Sequence, residues 1–128
     1  MIGKLPQDIL DALLEILPVD FSLLDANDRV LAWNRHDKRI FKRPEGVLGK
    51  DVRDCHPQKS LAAVQQIIAD MKSGKRDKAR FWIDLSGRKV LIEYFALRDK
   101  DGKYLGCLEV SQDVTEIQKL SGEKRLLD

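Results

Sequence analysis

Apolar residues recur at helical spacing near the start of the chain: Leu5, Ile9, Leu10, Leu13, Leu14, Ile16 and Leu17, with Pro6 before the run and Pro18 as its stop. The spacing predicts an amphipathic opening helix. Its stripe is wide, which suits burial against a sheet or a second subunit better than solvent. The period then shortens to two. Phe21 to Asp25 and Arg29 to Asn34 read as strands around the turn Asp25-Ala26-Asn27-Asp28, whose polar side chains can bond their own backbone, and so predict a β-hairpin. Residues 36–50 are irregular and charged, with Ile40, Phe41, Val47 and Leu48 as anchors and Pro44, Gly46 and Gly49 as breakers, which implies short helical turns. Leu61, Val64, Ile67, Ile68 and Met71 mark one long helix, opening after Pro57 and ending at Ser73-Gly74. The last third alternates again, in three strands divided by Ser86-Gly87-Arg88 and by Asp99-Lys100-Asp101-Gly102. The order strand, strand, short turns, long helix, three strands predicts an α+β domain: an antiparallel sheet with helices covering one face.

A length of 128 residues, 43% of them apolar, allows one core but not two. Twenty-three basic against 21 acidic residues leave a formal charge of +2, too weak a field to argue for nucleic acid or an anionic membrane as partner. No apolar run reaches the length of a membrane span and the N-terminus has no signal-peptide order, so a cytoplasmic protein is expected. Cys55 and Cys107 are then expected to be free thiols. Near the end, Asp113-Val114-Thr115-Glu116 stands where the final strand hands over to a polar segment. There Thr115 and Gln118 have the spacing of a capping box for a closing helix, and Asp113 can tie the strand end to it.

That junction closely resembles the Asp-Ile/Val-Thr motif of PAS sensor domains, and the rest of the chain agrees in order. Asp25 with Asn27 to Asn34 resembles the opening hairpin, in which an Asn ends the second strand. Leu48-Gly49-Lys50 through His56-Pro57 resembles the segment before the long helix. Gly87, Arg98-Asp99-Lys100-Asp101-Gly102 and Gly106 resemble the punctuation of the closing sheet. The resemblance spans about Val19 to Glu116. It implies a PAS fold with a five-stranded antiparallel sheet, an N-terminal flanking helix over 1–18, the domain over 19–116 and a C-terminal helix or connector over 117–128. Leu17-Pro18-Val19-Asp20, Arg39-Ile40-Phe41, Cys55-His56-Pro57, Phe81-Trp82-Ile83 and residues 122–127 further resemble a prokaryotic subfamily in which the module commonly follows a hemerythrin-like domain. Iron chemistry does not transfer, since His36 and His56 are the only histidines.

The resemblance implies a sensory module with a small-molecule site between the long helix and the sheet. Strand alternation puts Val90, Ile92 and Tyr94 on one face and Cys107, Glu109 and Ser111 on one face of the next strand; the PAS comparison makes these interior. Val64 and Ile68 on the helix, with Cys55 and His56 at its start, complete the candidate lining. An inward Glu109 needs a partner such as Tyr94, Ser111 or a ligand. With a register one residue different, Leu108 and Val110 face inward instead and Glu109 lies on the opposite face. Trp33 and Trp82 read as packing rather than as ligand platforms.

Cys55-His56 could in principle supply a thiolate, or hold haem or zinc. His-Pro at this place in PAS domains starts the helix, no histidine lies within the helix itself, and no zinc-ligand spacing is present. A flavin photosensor is disfavoured: the resemblance puts a reactive cysteine soon after Gly49, where this chain has Lys50-Asp51-Val52-Arg53, and Ser111 at the position of the flavin-contacting glutamine. The cofactor is thus unknown, with a haem sensor through His56 a remote alternative. No phosphate loop, nucleophile elbow or metalloprotease helix is present, which argues against an enzyme. The second functional class is a ligand-free dimerisation scaffold, because PAS domains commonly dimerise through flanking helices. Leu10, Leu13, Leu14 and Leu17 are the expected interface of a homodimer.

Overall fold

The computed structural model describes residues 1–127. Asp128, the last residue of the expected closing segment, lies outside them. The chain forms α1 (Gln7–Ile16), β1 (Asp20–Asp25), β2 (Val30–Trp33), three short 3-10 turns (His36–Lys38, Glu45–Val47, Val52–Asp54), α2 (Gln58–Lys72), β3 (Lys78–Leu85), β4 (Arg88–Arg98), β5 (Tyr104–Asp113) and a last 3-10 turn, Ile117–Lys119. All five strands join one sheet in the order β2-β1-β5-β4-β3, every neighbour antiparallel. The first and last strands thus meet at the centre, and the irregular segment with α2 crosses one face to reach β3. No helix among the described residues is long and apolar enough to cross a membrane.

Local chemistry sets the register. In the β1–β2 turn the Asp25 carboxylate accepts from the Asn27 and Arg29 amides at 2.8 and 3.0 Å. In the β4–β5 turn Asp99 does the same for Asp101 and Lys103, both at 2.9 Å. Side chains that stand in for a turn's own backbone bonds make both hairpins local decisions. The β3–β4 hairpin uses a two-residue loop, Ser86-Gly87, with both residues at positive φ (50° and 80°), the geometry that matches strand twist.

Alternation then sorts the faces. Val90, Ile92, Tyr94 and Cys107 turn inward and pack with Ile67 and Met71 of α2, while Val52, Val64 and Ile68 form an adjoining buried group. Burial pushes the Cys107 thiol up to about 12, with Glu109 and Asp28 adding to it, and pushes Tyr104 to about 12 as well.

Two expectations are corrected. The Thr115-x-x-Gln118 capping box does not form, and the closing helix is a single turn. The Thr115 hydroxyl accepts from the Lys89 amide at 2.9 Å and donates to Asp113 at 2.6 Å, so it serves the start of β4 rather than a helix. Gln118 instead bonds the Val114 carbonyl. Ile117 and Leu120 are exposed, and without an apolar surface to dock on a short helix is not stable. The Asp113 tie is present in another form: its carboxylate accepts from the Thr115 side chain and amide, which together lower its pKa.

Two predictions follow from this packing. A Cβ at Gly106 would stand 2.1 Å from the Leu24 carbonyl oxygen, where neighbouring main chain cannot give way. Gly106→Ala should therefore cost about 3 kcal/mol or more in urea unfolding. Cys107 keeps its proton when folded and loses it near 9 when unfolded, so the unfolded state binds fewer protons between these values and stability falls as pH rises from about 9 toward 12. Denaturation series at increasing alkaline pH should show Cys107→Ala losing stability less steeply than wild type, by up to about 1.4 kcal/mol per pH unit.

Candidate functional site

Between α2, the irregular segment and the inner face of the sheet lies a cavity lined by Ser22, Leu24, Val30, Arg43, Val52, His56, Val64, Tyr94, Cys107 and Glu109. Its volume is about 10 Å³, room for one water. One wall is aliphatic. The other carries a charge pair: Arg43 Nη2 stands 3.5 Å from both oxygens of Glu109, the two side chains being 13% and 16% exposed. Glu109 thus faces inward. The register that sets Tyr94 opposite Glu109, Ile92 opposite Ser111 and Ala96 opposite Cys107 puts all three β5 residues on the α2 side. Burial first, and the adjacent Glu109 carboxylate second, hold the Tyr94 hydroxyl protonated far above its ordinary range.

The pair belongs to a larger polar assembly that strand alternation alone does not reveal. Arg43 Nε donates to Ser22 Oγ at 2.9 Å, and Arg39 Nη2 donates to the same oxygen at 3.0 Å. Arg39 is buried; it also donates to the carbonyls of Phe41, Phe21 and Asn34. Burial and the nearby Arg43 lower its pKa, while Asp20 and Glu109 oppose that. Asn34, 2% exposed, accepts from the Phe21 amide at 2.7 Å and donates to the carbonyls of Leu14 (2.7 Å) and Val19 (3.0 Å). Arg35 adds bonds from its amide to Glu15 and from its guanidinium to the Leu17 carbonyl. The C-terminal carbonyls of α1 are therefore capped by β2's end, and a hydrogen-bonded path runs Arg43, Ser22, Arg39, Asn34, Leu14, with Glu109 joined to Arg43 as an ion pair.

Of the residues expected to line the site, the fold brings Val64, His56, Tyr94, Cys107 and Glu109 together and leaves four outside the cavity wall. Ile68 packs with Val52 and Val64, and Ile92 packs in the core around Met71. Ser111 is buried, paired in register with Asp20 and Ile92. Cys55 turns back to donate to the Asp51 carbonyl, and burial raises its pKa, so it is not an activated thiolate. His56 Nδ1 donates to the Val52 carbonyl at 3.1 Å, and Pro57 immediately precedes α2, which matches the helix-starting role. In this conformation the cavity has no room for a haem or flavin ring system. Ser22, Arg39 and Arg43 were not legible as site residues: each lies in a strand or loop far from Glu109 in sequence, and an arginine in a charged stretch reads as solvated.

α1 has no buried residue. It is flanked by two open grooves. One contains Leu14 and Leu17 against Phe21, Leu23 and Leu108 of the sheet; the other contains Ile9, Leu13 and Ile16 beside Trp33 and His36. The four leucines expected at one interface thus divide: Leu14 and Leu17 turn toward the domain's own sheet, Leu13 is exposed and Leu10 is half-buried.

The coordinates are similar to a crystal structure of a C-terminal domain from Streptococcus mutans, with a TM-score of 0.88, 28% identity and 94% of each chain covered. They also resemble the PAS domain of BvgS from Bordetella pertussis (TM-score 0.61, 18% identity, 88% of each chain). A sensory box sensor histidine kinase from Vibrio cholerae is similar too (TM-score 0.59, 16% identity, 85% of this chain and 91% of that one). The last two likenesses concern the fold alone. No curated protein matches the chain. The PAS domain family model matches residues 10–115, most of the length and all of the sheet, and the chain belongs to the PAS domain family.

Proposed function

We propose that this PAS domain is a sensory and signalling module that takes a small molecule beside Arg43 and Glu109 and passes the event to α1, within a homodimer. The observation that carries this reading is the polar path from the Arg43–Glu109 ion pair to the Leu14 carbonyl of α1. A ligand that takes either partner of the charge pair alters the bonds of Ser22 and Arg39, and through Asn34 the seat of the helix. Such a change acts by shifting the balance between docked and released helix, to the extent that the ligand prefers one of them. α1 suits the role because side chains tie it down only at its C-terminal end. The Streptococcus mutans relative is a C-terminal domain, which agrees with a module that follows another, as in the hemerythrin-associated subfamily.

A second reading, a ligand-free dimerisation scaffold, is favoured by one observation: the cavity holds about one water. Native mass spectrometry of protein purified without added cofactor, with its absorption spectrum, separates the two. A retained small molecule is expected for the sensor. A colourless, empty dimer supports the scaffold.

Asn34→Ala removes three bonds from buried or half-buried main chain and should cost about 3 kcal/mol. It should also accelerate proteolysis within residues 1–18 beyond that of an equally destabilised core variant such as Val64→Ala; equal cleavage would remove Asn34 as the helix anchor. For the dimer, Leu13→Asp puts a charge on the outward side of α1 at little cost to the fold, Leu13 being 38% exposed. Sedimentation at micromolar concentration should show a wild-type dimer and a folded Leu13→Asp monomer.

A further inference from the structure

The charges in the cavity restrict what can occupy it. Arg43 and Glu109 face each other at 3.5 Å, beyond the usual N–H···O range, so the pair is in place without being tightly bonded. An anion that took Arg43 would leave Glu109 with the Tyr94 hydroxyl but no counter-charge in a mostly apolar space, and a cation that took Glu109 would leave Arg43 with Ser22 but no counter-charge. Either outcome is strongly unfavourable. A molecule with both charges and no net charge can enter between the two and leave each paired.

We propose that the occupant is such a dipolar molecule with an apolar side chain, a free α-amino acid of about leucine's size. This rests on the reading of the cavity as a ligand site. The carboxylate takes the Arg43 guanidinium and the ammonium takes Glu109. Ser22 fits this arrangement: its oxygen already accepts from Arg39 and Arg43, which leaves its own proton for a carboxylate oxygen. Leu24, Val30, Val52 and Val64 supply the apolar wall for the side chain. Room has to come from movement of the segment that carries Arg43. Among the described residues the amides of Phe41, Lys42 and Arg43 make no hydrogen bond, and that stretch is held by the Arg39 and Arg43 side chains, by Lys42 on the Asp37 carbonyl and by the packing of Phe41 on the core.

The test compares L-leucine, L-valine and L-methionine with 4-methylpentanoate and 3-methylbutylamine, which are leucine without its ammonium and without its carboxylate. Each is added to the whole chain at matched millimolar concentration and read by thermal unfolding and by titration calorimetry. At least one amino acid should raise Tm by about 5 °C or more at a hundredfold excess over its Kd, and both half-molecules should bind at least tenfold more weakly. Glu109→Gln and Arg43→Lys, each checked for fold by circular dichroism, should each weaken the amino acid at least tenfold. No shift with any of the amino acids, or equal binding of 4-methylpentanoate, overturns the proposal on wild-type protein alone. Native mass spectra tell the two failures apart. A retained molecule of another class removes the amino acid and leaves the sensory reading, whereas an empty protein that none of these ligands stabilises removes both.

Discussion

The Arg39 guanidinium is the group on which the helix-covered face of this domain depends. It enters the protein from a segment with almost no regular structure and donates to the carbonyls of Phe21, Asn34 and Phe41 and to the Ser22 hydroxyl. Three of these acceptors lie on or beside β1 and β2; the fourth belongs to the covering loop. One planar cation with several donors in fixed directions can join these elements, which a flexible lysine with a compact charge cannot do. Removal of the side chain would leave those carbonyls in search of other donors and release the loop that carries Arg43. Its charge is tolerated under burial because Asp20 and Glu109 stand close enough to offset it.

The other end of the cover is fixed on the same principle with opposite sign. Asp28, held at φ 67° in the β1–β2 turn and 3% exposed, receives Arg53 and Lys72, each at 2.9 Å. One carboxylate thus joins the first hairpin to the turn before α2 and to the last turn of α2 itself. A cation over β1 and an anion beneath α2 do the work that a continuous apolar interface does elsewhere in the domain. With Ile40 and Phe41 packed on the core between them, these two charged groups close the irregular segment over the sheet.

Where the sequence was informative, the cause was local. The hairpins were legible because Asp25, Asp99 and Ser86-Gly87 set their turns within a few residues, and the inward set Val90, Ile92, Tyr94 followed from period two. α2 was legible from its spacing, and His56-Pro57 from its place before the helix. Glu109 could be narrowed to two faces, and only its register against Tyr94 on β4 chose between them. The polar path was hidden because its members, from Leu14 to Glu109, come from five separate stretches of chain, and nothing in an isolated arginine marks it as buried. Thr115 shows the converse: a sound local signal, the capping box, yields to a long-range demand from the Lys89 amide.

β3 has a further consequence. It lies at the edge of the sheet, paired only with β4, and Phe81, Trp82 and Ile83 are 38%, 63% and 37% exposed. Three successive large apolar side chains on an edge strand are a template for uncontrolled strand addition. Arg80 and Asp84 stand on either side of that triplet, held by Glu93 and Lys89 respectively. Charges in those positions disfavour the addition of a further strand, so this edge is guarded by two side chains that have no part in the cavity at all.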